Sequence, residues 1–318
     1  MRVICRASSG LHQNISFLDY KYFNMEERFK KPINRLIEEG RKFGIEFTTY
    51  EKVGTLEADV YLFWDCPKMN DDVYIYAKQQ NKKRVLLAFE PSFFIPENTT
   101  DELSQMFDQI YTWERSTWDE KKYFCIRPIY FSLEERRNAE KKKLCSMVST
   151  IYPNFSNANS LYRKRKDIIQ WYEKNACEEL DFYGKKNRYS DNCFSLYKGT
   201  VLDKLDVIAK YRFNYCLENH KTPYKYITEK IFDCFMASTV PIYSGCENIS
   251  TYISREAYIL LDDFTTMESL HSYLKRMSKE EYEQYLSAGQ QVLTTAFAKS
   301  YGTEAFVGLI LEIVNNLR

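Results

Sequence analysis

The sequence predicts an α/β protein of two domains, each a parallel sheet layered between helices, with further helices closing the C-terminus. Three observations carry that prediction. Short apolar runs rich in aromatic and β-branched residues alternate with stretches of helical periodicity. A densely charged break, Arg127 to Cys145, separates two such alternating regions. The length, 318 residues, is long for one compact domain and ordinary for two. The domains are drawn at 1–140 and 141–300, with 301–318 a C-terminal helix free to pack back on the first domain.

In the first half, RVICR is a short apolar strand. Glu26 to Phe43 has helical spacing, with Pro32 near its start. DVYLFW (Asp59 to Trp64) reads as a buried strand and Asp71 to Gln80 as a helix. RVLLAFE (Arg84 to Glu90) is a strand that Pro91 ends, and QIYTW another. The charge run Glu134 to Lys143 reads as a solvated helix or linker. The second half starts with the strand LCSMVST, then a periodic helix from Leu161 to Lys174 and the strand LDFYG. A helix near Val201 to Ala209 follows, then the strand YRFNYCLE, the helix YITEKIFDCFMAS and the strand TVPIYSG. YILLDD is a last strand before helices at Met267 to Met277, Glu280 to Lys299 and Thr303 to Leu317. Two such domains are expected to face each other across a cleft, because open α/β sheets bind ligands beyond the carboxyl ends of their strands.

Composition narrows the function. A formal net charge of +1 lacks the basic excess of a nucleic-acid binder. Nine cysteines without a CxxC pair, several in apolar runs such as those around Cys5 and Cys216, read as buried reduced thiols. Three histidines, His12, His220 and His271, leave little for a His-rich metal site, and Asp262–Asp263 reads as a strand end. Aromatic residues at 16% fit either an aromatic core or stacking on sugar rings. The first residues, MRVICRASSGLHQ, lack the apolar core of a signal peptide, and no run approaches the length of a membrane span. On that basis the sequons at Asn14, Asn98, Asn154 and Asn248 are expected to be chance matches, and the location cytoplasmic or peripheral to a membrane.

The segment Tyr211 to Gly245 concentrates the chemistry. Its strand is expected to end at Glu218–Asn219, where the chain leaves the sheet. A loop with Pro223 leads to a helix carrying Thr228, Glu229 and Lys230 in its first turn. A helix N-terminus presents free N–H groups and a positive dipole end, and a lysine adds full charge, which suits a diphosphate. A cation there runs against the usual dipole preference, a mild argument for an anionic ligand. Glu229 can accept hydrogen bonds from sugar hydroxyls. An ordinary strand–helix–strand unit with a surface ion pair accounts for the same residues equally well.

The run Phe213, Glu218, Asn219, Tyr226, Ile227, Thr228, Glu229, Lys230, Val240, Pro241 and Gly245 resembles the signature of glycosyltransferase family 10, the α-1,3/1,4-fucosyltransferases. His220 replaces the usual serine after Glu-Asn, and Ala237-Ser238-Thr239 the usual Ala-Gly. The resemblance implies a GT-B-like arrangement of two Rossmann-like domains. It implies that Asn219, Tyr226, Glu229 and Lys230 contact the fucose or diphosphate of GDP-fucose. LYRKRKDIIQWYEK resembles the family helix with a phosphate-binding arginine; spacing favours Arg165, with Arg163 the nearest rival, and Tyr197 is placed near the nucleotide. The family also has a strand ending in Glu-Ser-Pro whose glutamate is its proposed base, which maps to Glu90 before Pro91 here, without the serine. A helix or turn cap is the alternative for Glu90.

The implied reaction is a single displacement with inversion. Arg165 and Lys230 offset charge on the leaving diphosphate, and Glu218 or Glu229 holds fucose hydroxyls or steadies the oxocarbenium character. Glu90 takes the acceptor proton. No metal or other cofactor is expected to be essential. The expected partners are GDP-fucose and an oligosaccharide acceptor, with transfer α-1,3 to N-acetylglucosamine of a lactosamine-type glycan. Two alternatives are another GT-B nucleotide-sugar transferase and a non-catalytic protein that binds a glycan or nucleotide sugar.

Overall fold

The structure is a computed structural model that describes residues 1–7, 27–114, 121–151, 158–184, 195–223 and 225–318. His12 and the sequons at Asn14 and Asn154 lie outside the described residues. The chain forms two compact units, Met1–Ser132 with Ser300–Arg318, and Leu133–Lys299.

In the first unit the order is β1 (Arg2–Ala7), α1 (Glu27–Lys42), β2 (Glu46–Thr48), α2 (Tyr50–Val53), β3 (Val60–Trp64), α3 (Asp72–Gln79), β4 (Lys83–Ala88), α4 (Leu103–Met106), β5 (Gln109–Thr112) and β6 (Tyr123–Cys125). The sheet order is β2-β1-β3-β4-β5-β6, and every pairing is parallel. Parallel strands are covered on both faces, so β3 reads as a continuous apolar run rather than an alternating one. One face presents Ile4, Tyr61, Phe63, Leu86 and Ile110, with Tyr61 and Phe63 two apart on β3, to Val73, Tyr74 and Ala77 of α3. The Asp71 side chain caps α3 by accepting from the Tyr74 N–H.

Pro32 sits inside α1, where it has no N–H to offer the Arg28 carbonyl. The Ser132 N–H takes that carbonyl instead, at 2.8 Å, so the proline's missing bond becomes a tie to the end of the unit. The last helix of the chain, Thr303–Asn315, buries Phe306, Val307, Ile310, Ile313 and Val314 along one stripe and packs against α1.

The second unit runs β7 (Lys143–Val148), α5 (Tyr162–Asn175), β8 (Leu180–Tyr183), α6 (Lys204–Ile208), β9 (Tyr211–Thr222), α7 (Glu229–Met236), β10 (Val240–Cys246), β11 (Ile259–Leu260), α8 (Met267–Arg276), α9 (Lys279–Val292) and α10 (Ala296–Lys299); the helix at Thr303–Asn315 is then α11. The sheet order is β11-β10-β9-β7-β8, again parallel throughout. Met147, Phe182, Tyr215 and Ile242 pack with Ile168, Ile169 and Tyr172 of α5 in its core.

Several expectations are corrected. Of the two expectations for the charge run Glu134 to Lys143, a solvated helix or a linker, the helix does not form, and Lys143 already belongs to β7. The run is pinned along the second unit, with Arg137 N–H on the Met236 carbonyl, its guanidinium on Asp203 and Asp206, and Lys141 Nζ on the Ala209 carbonyl. The helix expected at 201–209 shortens to α6, because Asp203 caps it with its side chain. The helix expected at 280–299 divides into α9 and α10, and the strand at Tyr258 to Asp263 keeps two residues before a 3-10 turn. Cys125 and Cys177 are exposed, whereas Cys5, Cys66, Cys145, Cys216, Cys234 and Cys246 are buried, all as free thiols. Among the described residues no helix is long and apolar enough to cross a membrane.

Candidate functional site

Strand order locates the first candidate site. In the second unit the chain builds outward from β7 in both directions, to β8 on one side and β9 on the other. The gap between the carboxyl ends of β7 and β9 is therefore a topological switch point, where open parallel sheets take ligands. A small pocket opens there. It is lined by Val148 and Ser149 at the end of β7, by Leu217 on β9, and by three cations, Arg165 of α5, Lys204 of α6 and Lys230 of α7.

The β9 end has an unusual ladder. Leu217 pairs with Ser244 and Thr222 with Cys246, so Glu218 to Lys221 stand opposite Gly245 alone. The strand was expected to end at Glu218–Asn219; it continues to Thr222, and the pair lies in a bulge within it. Gly245, expected at a turn, is inside β10. The reason is space: a Cβ there would stand 2.5 Å from Glu218 Cγ and 2.7 Å from the Tyr243 hydroxyl oxygen. Gly245→Ala is expected to lower unfolding stability by about 1–3 kcal/mol through overpacking. Chemical denaturation measures it, and an unchanged midpoint would show that Glu218 can move aside freely.

Glu218 is fully buried, and its carboxylate accepts from Thr228 N–H at 2.8 Å, Thr228 Oγ1 at 2.7 Å and Lys230 Nζ at 3.1 Å. It thereby fixes the residue that precedes α7. Lys230 lies 3.7 Å from Glu229, which is also 3.9 Å from Lys204. Lys204 in turn holds the fully buried Asp233 at 2.7 Å. Two lysines, Lys230 and Lys204, thus alternate with three carboxylates, Glu218, Glu229 and Asp233. Burial alone would lower the Lys230 ammonium, but Glu218 and then Glu229 outweigh it and raise its pKa above the ordinary lysine value. The cation in the first turn of α7 therefore has an internal partner, which the sequence could not reveal.

Arg165 is 2% exposed. Its Nη2 donates to the carbonyls of Leu217 and Glu218, both at 2.7 Å, and to Asn219 Oδ1 at 3.0 Å; Nη1 reaches the Thr150 carbonyl at 2.9 Å. It staples the bulge to the turn after β7. Asn219 also accepts the Leu161 N–H on its carbonyl, which sets the start of α5. Tyr226 is buried just before α7. Tyr197 stands elsewhere: it bridges Phe182 on the edge strand β8 and donates its hydroxyl to the Gly184 carbonyl at 2.8 Å. The structure thus brings together Arg165, Glu218, Asn219, Glu229 and Lys230, but not Tyr197. Sequence reasoning missed Lys204 and Asp233. The available signal was a second lysine in the first turn of a helix, the same anomaly that singled out Lys230.

The second candidate site belongs to the first unit. Glu90 is exposed, two residues beyond the end of β4. Its N–H donates to Asp65 Oδ1 at 2.8 Å, and its carbonyl accepts from Asn98 Nδ2 at 2.8 Å. Burial raises the Asp65 carboxyl above its ordinary pKa, against the N–H groups that donate to it. Asn98 is 3% exposed with both ends of its amide engaged, so the folded chain offers no acceptor nitrogen at that sequon. Among the described residues no group of three or more His, Cys, Asp or Glu is placed to hold a metal ion.

Over 98% of its length the chain is similar in structure to an alpha1,3-fucosyltransferase crystallised with GDP-fucose, covering 91% of that chain with a TM-score of 0.57 and 18% identity. It is also similar over its whole length to an alpha-glucosyltransferase bound to UDP and DNA, with a TM-score of 0.56 and 13% identity. At such identities the likeness is one of fold: two parallel-sheet α/β units of the GT-B kind. In sequence, 155 residues are 36% identical to the 4-galactosyl-N-acetylglucosaminide 3-alpha-L-fucosyltransferase 9 of Mus musculus, covering 47% of this chain and 36% of the relative. A match of 101 residues to an alpha-(1,3)-fucosyltransferase of Helicobacter pylori is 28% identical and covers 32% of this chain and 21% of the relative. A match of 139 residues to the GDP-fucose protein O-fucosyltransferase 3 of Homo sapiens is 28% identical and covers 40% and 29%. The matched stretches span 21% to 36% of these relatives' own lengths. The family model for the C-terminal region of glycosyltransferase family 10 (fucosyltransferase) matches residues 137–304, more than half of the chain and nearly all of the second unit. With the switch-point pocket built from residues of that same stretch, the chain belongs to glycosyltransferase family 10, the fucosyltransferases.

Proposed function

We propose that the protein is an inverting fucosyltransferase that moves L-fucose from GDP-fucose to a glycan hydroxyl, α-1,3 to N-acetylglucosamine of a lactosamine-type acceptor. The observation that carries this reading is the meeting of Arg165, Lys204 and Lys230 at the β7/β9 switch point. Cations on fixed elements, partly withdrawn from water, suit a diphosphate whose charge grows as it departs. The names of the mouse and Helicobacter pylori relatives supply the sugar and the linkage.

In the proposed reaction the acceptor oxygen bonds to fucose C1 as the bond from C1 to the β-phosphate oxygen breaks. The bonding pair leaves with GDP, and the acceptor proton passes to the Glu90 carboxylate. Arg165 and Lys230 meet the growing charge on the diphosphate. Of the two glutamates paired with Lys230, Glu229 suits the fucose hydroxyls, because its side chain is 16% exposed while that of Glu218 is fully buried. Glu218 then acts through Lys230 and Thr228. Asn219 and Tyr226 are assigned to donor contacts beside them, and Tyr197 to the nucleotide side. Side chains supply the charge stabilisation in this reading, with no metal required.

A panel of sugar nucleotides tests the donor, with GDP release and product followed on lactosamine glycans and linkage read by NMR. Transfer from GDP-fucose to the 3-hydroxyl of N-acetylglucosamine is the expected result. The human relative favours one further acceptor class, a hydroxyl on a protein, so a serine- and threonine-bearing peptide belongs in the panel. Transfer only from another sugar nucleotide, or GDP-fucose binding without product on any acceptor, would sink the reading.

A further inference from the structure

The segment that carries Glu90 is fixed to a degree that a connecting loop does not require. Phe89 and Glu90 both donate their N–H groups to Asp65 Oδ1, each at 2.8 Å. The Phe89 carbonyl accepts from Trp113 Nε1 at 2.8 Å, and the Glu90 carbonyl from Asn98 Nδ2 at 2.8 Å. Two residues on, Glu114 accepts from Ser92 N–H and Oγ, both at 2.7 Å. All four backbone polar groups of residues 89 and 90 are therefore held by side chains rather than left to water. The Glu90 side chain itself is exposed.

Two of those anchors form one buried unit. Asp65 is 5% exposed and Asn98 3%. Asn98 Nδ2 donates to Asp65 Oδ1 at 2.9 Å, and Asn98 Oδ1 accepts the Cys66 N–H at 2.8 Å. Asp65 follows β3 directly and its N–H continues the ladder to the Leu87 carbonyl at 3.0 Å. Its φ of 63° is left-handed, a conformation that Asp, Asn and Gly tolerate better than other residues. Backbone strain and two buried polar side chains are thus committed at one place, the carboxyl end of β3 beside β4, where parallel sheets place their reacting groups.

We propose that Asp65 and Asn98 are positioning residues that clamp the backbone of Glu90 and hold its carboxylate in the attitude needed for proton transfer, an inference that rests on Glu90 being the base. A group displaced by about 1 Å can cost catalysis roughly a hundredfold without touching substrate affinity. The clamp acts on the peptide groups either side of Glu90, so it determines where the side chain leaves the backbone.

Steady-state kinetics on the full chain test this, with melting curves to confirm folding. Asp65→Ala and Asn98→Ala are each expected to lower kcat about 10- to 100-fold while KM for GDP-fucose moves less than about twofold. Asp65→Asn keeps the accepting oxygen and suits the left-handed φ, so it is expected to recover most of the loss. In a Glu90→Gln background, read by long incubation, Asp65→Ala should cost nothing more, because the clamp has no base left to position. Unchanged kcat in folded variants, or a full multiplicative loss in the Glu90→Gln background, overturns the proposal while leaving Glu90 as the base. Near-normal transfer by Glu90→Gln alone overturns the base assignment and the clamp's purpose together. If the alanine variants do not fold, Asn98→Ser, which removes both the Nδ2 donor and the Oδ1 acceptor but leaves a small hydroxyl in the buried site, carries the same comparison.

Discussion

Glu90→Gln is expected to cut kcat by about 10²- to 10⁴-fold, the usual contribution of a positioned general base. The substitution is close to isosteric and removes the negative charge and, with it, the ability to take a proton. It leaves the backbone bonds to Asp65 and Asn98 in place, since those engage the peptide N–H and carbonyl of residue 90 rather than its side chain. The side chain is exposed, so folding stability should stay within about 0.5 kcal/mol. The residues assigned to the donor, Arg165 and Lys230 among them, belong to the other compact unit. Calorimetric affinity for GDP-fucose should therefore be unchanged. A variant that keeps near-normal transfer removes Glu90 from the reaction; one that loses GDP-fucose affinity in parallel shows that the residue serves the donor.

How far the sequence alone reaches differs between the elements and the site. The runs VYLFW and YRFNYCLE announce strands because β-branched and aromatic residues fit a pleat covered on both faces, and both are strands. α5 is legible from its period alone, and its bounds depart by one residue from expectation. The bulge in β9 is not legible, because its cause lies on another strand: Gly245 leaves the room that Glu218 fills. A one-dimensional pattern places Glu218, Glu229 and Lys230 near each other without saying which carboxylate is buried. Lys204 and Asp233 pair across two helices, and each alone looks like an ordinary surface charge. The Asp65–Asn98 pair joins a strand end to a loop in the same way. Polar residues at the carboxyl ends of strands are predictable as candidates, whereas their partners depend on tertiary placement.

Lys230→Ala should act on two quantities at once, and separating them decides what this lysine is for. Glu218 is fully buried, and the alanine variant leaves its carboxylate with Thr228 as donor but without its cation. Removing one partner of a buried pair costs about 3–5 kcal/mol, more than the pair itself contributes, because the remaining charge has no compensation. If Lys230 also meets the diphosphate, GDP and GDP-fucose lose a charge-assisted contact worth about 1.5–3 kcal/mol, roughly a 10- to 150-fold rise in Kd. A second substitution tells the two losses apart. Glu218→Gln added to Lys230→Ala removes the stranded charge while keeping an oxygen for the Thr228 N–H, so stability should largely return. Affinity should not, because the amide restores no cation at the pocket. Recovery of both would make Lys230 a partner of Glu218 alone, and the diphosphate would then depend on Arg165 and Lys204. Loss of affinity that survives the rescue of stability assigns Lys230 to the donor, since the other change, Glu218→Gln, removes a negative charge and by itself would favour a diphosphate.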